Sequence, residues 1–205
     1  MKKDWILLQV LAVVVGLAFA GCHATRAGYE SAPYRVVRSD GKFQVRDYSA
    51  LTLVETPMPG SAQGGDNGSF MRLFRFITGG NEAKRKIAMT TPVLMSGSGS
   101  NATMAFVMPA KMKTTEVPKP SDGSVRVREL EAGRFAVLHY GGGRNAKKEA
   151  ESLAHLQTWM KAERLGLLSP PVYGYFDPPW TPAFLRRNEV MVRTDGSAIT
   201  NKAQR

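Results

Sequence analysis

The side chains that most often carry chemistry are sparse in this chain of 205 residues. It holds three histidines and one cysteine, which are His23, His139, His155 and Cys22. These residues do not follow the spacing of a metal site, and the sequence contains no GxSxG, GxGxxG or Walker-type motif. Since no nucleophile is paired with a base, we expect a binding protein rather than an enzyme.

His139 is the one histidine with a candidate role at a ligand. It lies in "RFAVLHYGGG" and alternates with Phe135 and Val137 on one face of a predicted strand. It is either a half-buried histidine whose hydrogen bonds are satisfied by the fold or a pocket residue that binds iron. The alternation alone favours the first interpretation. We predict no metal site, with His139 as the weak candidate for an iron ligand.

The stretch "FMRLFRFITGG" predicts an amphipathic helix with a second chemical feature. The apolar stripe expected to be buried follows the spacing i, i+3, i+4, i+7 and consists of Phe70, Leu73, Phe74 and Ile77. Met71 and Arg75, four residues apart, place a thioether beside a guanidinium on the flank of that stripe. This flank could cover a flat apolar ligand while Arg75 pairs with its carboxylate, or Arg75 simply extends into solvent.

Aromatic residues and prolines are concentrated in "PPVYGYFDPPWTPAFLRRNE". The prolines stiffen the segment, so Tyr175 and Trp180 would be held in place at a low cost in conformational entropy. The segment is either the preorganised rim of a pocket or a well-packed connection between two strands.

The N-terminal residues predict that the protein is exported from the cytoplasm. Lys2 and Lys3 precede an apolar run that ends in small residues, which is typical of a signal peptide over residues 1–21. Cys22 follows at the position that resembles the lipobox of bacterial lipoproteins, where the cysteine is acylated. We expect lipidation at Cys22, a tether over 22–33 and a location in the cell envelope facing the periplasm, with the outer membrane favoured over the inner. The alternative is ordinary cleavage that leaves a free thiol.

The net charge of the chain also indicates which classes of partner to expect. A formal net charge of +11 favours acidic lipid headgroups or a small ligand with carboxylates. We do not expect nucleic acid as a partner, because no basic run is interleaved with aromatic residues and exported proteins rarely meet it.

The organisation of the chain predicts an α+β domain. Strands divided by the Asp40-Gly41 turn signal precede the first predicted helix, and the order strand, strand, helix, strand, strand then recurs with a second helix over 145–165. We predict a distorted β-barrel or twisted antiparallel sheet of two pseudo-symmetric halves, each with one helix, over 34–194, followed by a flexible basic tail over 195–205. Ile87 and Met89 of "KIAMTTPV" would belong to the core beneath the first helix.

Several separated motifs resemble the SOUL haem-binding protein family: "FMRLFRFITGGNEAKRKIAMTTPVLM", "MAFVMP" and "YGYFDPPWTPAFLRRNEVMV". The resemblance implies a two-halved distorted barrel and a tetrapyrrole bound between the first helix and the loop before the last strand. This sequence has no histidine at a matching axial position, and members of the family differ in whether they use one. Thr181 and Phe76 stand where the family has lysines, so basic contacts to propionates would come from Arg72, Arg75, or Arg186 and Arg187.

We therefore expect a lipid-anchored envelope protein that reversibly binds non-covalent haem, a related tetrapyrrole or another anionic amphiphile. The residues expected to contact the ligand are Met71, Arg72, Arg75, Phe76, Tyr175 and Trp180. The alternative is a structural or protein-interaction module of the envelope that does not bind haem and uses the aromatic, proline-rich loop.

Overall fold

The computed structural model describes residues 28–58 and 68–195. The first half of the described chain contains β1 (Glu30–Ser31), β2 (Tyr34–Asp40), β3 (Phe43–Tyr48), β4 (Leu51–Pro57), α1 (Ser69–Ile77), β5 (Thr90–Thr91), β6 (Val93–Ser96) and β7 (Thr103–Val107). The second half contains β8 (Arg126–Leu130), β9 (Gly133–Gly141), α2 (Ala146–Ala162), β10 (Val172–Tyr175) and β11 (Arg187–Arg193). No helix within these ranges is long and apolar enough to cross a membrane.

Nine strands form one curled antiparallel sheet in the order β2-β3-β9-β11-β10-β6-β7-β4-β8, while β1 and β5 pair in parallel beside it. The order β3, β4, α1, β6, β7 is repeated by β8, β9, α2, β10, β11. The predicted α+β fold, a distorted barrel of two similar halves, is confirmed.

The alternation of side chains along each strand divides the core into two layers. Leu53 of β4 and Val137 of β9 point into the interior of the curled sheet, where they pack with Phe135 and Met191. The opposite face of the sheet carries both helices. The sheet therefore has one self-enclosed face and one face covered by α1 and α2.

Each helix covers its own part of the outer face. α1 packs on β4 and β7, and α2 packs on β9 and β11. Asn145 caps α2, since its side-chain oxygen accepts a hydrogen bond from the Lys148 amide. Leu156 and Met160 are buried beneath α2, whereas Ala146 and Ala150 are exposed. The helix ends at Ala162, three residues before its predicted end.

The segment "KIAMTTPV" contributes to the core mainly as irregular chain. Strand pairing begins only at Thr90, and Ile87 is buried in the cluster beneath α1 with Met89 packed at its edge. The predicted core role of Ile87 and Met89 is therefore confirmed.

Candidate ligand-binding groove between the two helices

Two strands in the middle of the sheet lie outside the main contacts of the helices, although Tyr173 and Tyr175 of β10 donate hydrogen bonds to Glu149 of α2. In the strand order, β10 and β6 lie between β11, which α2 covers, and β7, which α1 covers. Three strand spacings separate β11 from β7, or about 14 Å. We infer that this strip is the floor of a groove between the helices.

Cross-strand pairs show which side chains form the floor, because residues directly opposite each other point to the same face. Tyr173 pairs with Val190 on one side and Met95 on the other, and Tyr175 pairs with Asn188 and Val93. Val190 belongs to the core under α2, whereas Met95 and Val93 border the core under α1. Tyr173, Tyr175, Val93 and Met95 are all half-buried. The floor is therefore apolar and aromatic, and partly open to solvent.

On the α1 side of the groove, the buried and exposed residues differ from the sequence-based expectation. Phe76, predicted at the ligand flank, is only 1% exposed and packs in the core with Leu73 and Ile77. Phe74, predicted to be buried, is 39% exposed and stacks on Phe70 with ring centroids 6.0 Å apart. These two assignments were wrong, because apolar residues at 70, 71, 73, 74, 76 and 77 allow two helical phases and spacing alone does not choose between them.

Hydrogen bonds fix the rotation of α1 about its axis. The Arg72 guanidinium donates to the Thr56 hydroxyl at 3.0 Å and to the Pro57 carbonyl at 2.7 Å, so this flank faces β4. Phe70 and Phe74 lie about 160° around the helix from Arg72, and Phe70 packs edge-on against Phe106 of β7. The Phe70 and Phe74 flank therefore faces the groove, and the expected contact of Arg72 with ligand would require breaking its bonds to β4.

Met71 and Arg75 lie on the outer crest of α1, where both are exposed. Within the described residues, no hydrogen bond or ion pair engages the Arg75 guanidinium. Hydrogen bonds from Ser124 are the main cause that lowers the pKa of the nearby Asp122, and the charges of Arg72 and Arg75 add to this shift. Arg75 is thus available to pair with an anion at the rim.

The α2 side of the groove is polar. The Tyr175 hydroxyl donates a hydrogen bond to Glu149, and Arg144 Nε lies 3.5 Å from the same Glu149 oxygen. Burial, followed by the neighbouring Tyr140 and Glu149, raises the pKa of Tyr175. The Tyr175 phenol therefore stays protonated at neutral pH and is a poor ligand for iron.

The loop after β10 holds the remaining predicted residues. Trp180 is 73% exposed. Thr181, which stands in place of a family lysine, is buried, and its hydroxyl has no partner among the residues that the structure describes. Arg186 donates to the carbonyls of Thr181 and Pro179, and Arg187 pairs with Glu189. Both arginines are thus engaged by the fold rather than open to a propionate.

His139 lies in a buried charged cluster on the inner side of the sheet. Its Nδ1 is 3.1 Å from Glu189 Oε1, and its Nε2 is 2.7 Å from Arg46 Nη2. Since arginine only donates, Nε2 accepts the bond from Arg46 and Nδ1–H donates to Glu189. Both ring nitrogens are therefore occupied, which favours the structural interpretation of His139 over iron binding.

The ion pair of Arg46 and Glu189 lies at the centre of this cluster. Nothing in the sequence predicted this pair, apart from the "RRNE" motif that contains Glu189. Both side chains are completely buried and form two hydrogen bonds of 2.8 and 3.1 Å. Burial alone would raise the pKa of Glu189, but the hydrogen bonds and charge of Arg46 outweigh it and the pKa is lowered. Within 28–58 and 68–195, no group of histidine, cysteine and acidic residues is arranged to hold a metal ion.

Comparisons with known proteins agree with this architecture. The family described as "SOUL heme-binding protein" matches residues 29–193. Heme-binding protein 1 of Xenopus laevis is 23% identical over 164 residues, which cover 72% of this chain and 81% of that protein.

Two solved structures share the fold at lower identity. The EcmrR C-terminal domain superposes with a TM-score of 0.53 at 11% identity, covering 79% of this chain and 98% of that one. A hydrolase from Listeria innocua gives a TM-score of 0.55 at 10% identity, covering 78% and 94%. These two likenesses concern the fold alone. Because the family match extends over residues 29–193, the chain belongs to the SOUL heme-binding protein family.

Proposed function

We propose that this protein binds haem, or a related tetrapyrrole with the same flat apolar body and anionic edge, in the groove between α1 and α2. Family membership and the relative named for haem binding support the ligand class. The observation that carries the proposal is the half-buried aromatic and aliphatic surface of β10 and β6, which lies between the strands that the two helices mainly contact.

The residues that would hold the ligand differ from the sequence-based set. Phe74 joins Met71 as the exposed apolar part of α1, and Tyr175 lines the floor. A porphyrin buries its faces against such apolar surfaces, and its carboxylates need cations at the rim. Arg75 supplies that cation. Phe76 is not among these residues, because its side chain is buried in the core. Arg72 is not among them either, because its guanidinium is hydrogen-bonded to β4.

The iron would gain no strong protein ligand from His139 or Tyr175, for the reasons of hydrogen bonding and pKa given above. Affinity then comes from the porphyrin ring and its carboxylates. We therefore expect ferric haem and metal-free protoporphyrin to bind with similar dissociation constants.

A visible-absorption titration tests the binding function. We expect a saturable Soret shift at 1:1 stoichiometry for ferric haem, and about tenfold weaker binding for Arg75→Ala because one charge-assisted contact is lost. His139→Gln is the matched variant outside the groove and should leave the dissociation constant unchanged. Unsaturable binding by the unsubstituted chain would refute the proposal.

The location in the envelope is a second part of the proposal. The predicted signal peptide over 1–21, the lipidation site Cys22, residues 22–27 of the predicted tether and residues 196–205 of the predicted tail over 195–205 lie outside the described residues. Support comes from the lysine-led apolar run and from the position of the single cysteine. Incorporation of a labelled fatty acid into the native chain but not into Cys22→Ser is expected; equal labelling of both, or of neither, would contradict acylation at Cys22.

A further inference from the structure

The loop between β10 and β11 presents the two most exposed aromatic side chains of the described structure. Trp180 is 73% exposed and Phe184 is 82% exposed. Neither belongs to one of the three hydrophobic clusters of the core. Both lie in one short loop, and large apolar side chains exposed at the surface commonly mark an interaction site.

The loop is braced from within, so this exposure is a fixed feature of the fold. The Arg186 side chain donates to the carbonyls of Pro179 and Thr181, on either side of Trp180. The Arg187 amide donates to the Asp177 carboxylate at 2.6 Å. Trp180 and Phe184 are thus presented at little further entropic cost.

The start of the described chain lies at the same end of the sheet as this loop. β1 pairs with β5 at Thr90–Thr91, which directly precedes the Val93 end of β6. Val93 pairs with Tyr175, and the loop begins one residue after Tyr175. From Cys22 to Gly28 the chain spans at most about 20 Å even when fully extended. A lipid at Cys22 would therefore keep this end of the domain close to the bilayer.

Positive charge borders the loop. A Cβ on Gly143 would lie 4.0 Å from an Arg186 guanidinium nitrogen, so the chain just before α2, which leads to the exposed Lys147 and Lys148, passes near the loop. After α1, the exposed run Lys84, Arg85 and Lys86 leads to β5 at Thr90–Thr91, at the same end of the sheet as the loop, and Arg85 donates a hydrogen bond to the Glu116 carbonyl. Aromatic residues flanked by lysines and arginines match the interfacial zone of a bilayer with anionic headgroups.

We propose that this end of the domain docks on an anionic lipid bilayer, with Trp180 and Phe184 entering the interfacial zone and the flanking basic residues contacting headgroups. The inference deepens the proposed envelope function by naming the surface that meets the membrane. Tyr175, at one end of the groove floor, adjoins this loop, so docking brings the groove next to the lipid in which an amphiphilic ligand dissolves.

Fluorescence quenching by brominated lipid tests the docking directly. The full chain is reconstituted into vesicles of phosphatidylglycerol and phosphatidylcholine, with and without bromine on the acyl chains. Subtracting the emission of Trp180→Phe from that of the unsubstituted chain isolates Trp180 from the other two tryptophans. We expect the Trp180 emission to shift to the blue and to be quenched several-fold by brominated lipid. Raising the salt from 0.1 M to 1 M shortens the Debye length from about 10 Å to about 3 Å and should reduce this quenching.

Two variants complete the test. Phe184→Ser should reduce the quenching of Trp180, because the two side chains enter the same interface. Leu167→Ser/Leu168→Ser changes an exposed apolar pair beside Arg193, at the opposite end of β11, and should change nothing. Vesicle-bound protein whose Trp180 emission is the same with and without bromine would overturn the proposal. That result leaves haem binding and acylation of Cys22 untouched, because the Soret titration and the fatty-acid labelling report on them separately.

Discussion

Arg46 and Glu189 illustrate how a buried charge is tolerated at the scale of single residues. Two charged side chains without solvent contact lose their hydration, which Coulomb attraction offsets only when hydrogen bonds complete the arrangement. Here the Tyr48 hydroxyl accepts a hydrogen bond from Arg46 at 3.1 Å, and the Tyr34 ring centroid lies 4.0 Å from the Arg46 guanidinium carbon. His139 Nε2 accepts a further hydrogen bond from the same guanidinium. The cluster fixes strands β3, β9 and β11 relative to one another.

His139 should make the stability of the fold depend on pH. Burial is the largest cause that lowers its pKa below the ordinary value of 6.5; Glu189 opposes the shift, and Arg46 adds to it. Between the lowered folded-state pKa and 6.5 the unfolded chain binds more protons, so stability is full above 6.5 and falls as the pH drops through this window.

Urea unfolding between pH 5 and pH 8 measures this dependence. We expect His139→Gln to lose most of the pH dependence just below 6.5, while His155→Gln, on the exposed face of α2, keeps it. Glu189 also has a lowered pKa, but its stabilisation is lost only as the pH falls below about 4.5, so the two windows are separate. Equal slopes for the native chain and His139→Gln would contradict the assignment.

At the scale of elements, α1 shows where sequence reasoning succeeds and where it stops. The helix and its Gly79-Gly80 ending follow from the sequence: Gly79 adopts φ 114°, and a Cβ on Gly80 would lie 2.8 Å from the Arg75 carbonyl oxygen. The rotation of α1 does not follow, because six of its nine residues are apolar. Only the sheet beneath it decides that Phe76 faces the core and Phe74 the groove.

A pair of alanine substitutions tests this rotation. Phe76→Ala should lower the free energy of unfolding by about 3–5 kcal/mol, because it leaves a cavity in the core. Phe74→Ala should cost less than about 1 kcal/mol, because the ring is partly exposed and only its stacking on Phe70 is lost. Denaturant unfolding at one pH gives both values. Equal losses, or the reverse order, would mean that the helix has the phase predicted from the sequence.

At the scale of the whole molecule, the two-halved α+β barrel could be predicted because strands, turns and helices each leave a local pattern, and because separated motifs resemble a known family. The groove could not be read from such patterns. It results from strand order, since β10 and β6 come from different halves of the chain and meet at the centre of the sheet. The Arg46 and Glu189 pair is likewise a contact between residues 143 positions apart.

The central claim is that the groove between α1 and α2 holds a flat anionic amphiphile. The most direct measurement is a Soret titration of the native chain, Phe74→Ser and Leu168→Ser, each with ferric haem and with protoporphyrin. Phe74 faces the groove, whereas Leu168 is an exposed apolar residue beside Arg193. We predict saturable 1:1 binding of both ligands by the native chain. Phe74→Ser should weaken this binding about tenfold or more, since loss of a buried aromatic contact costs about 1.4 kcal/mol or more. Leu168→Ser should leave the dissociation constants unchanged. Saturable binding that Phe74→Ser leaves intact would place the ligand elsewhere and contradict the account.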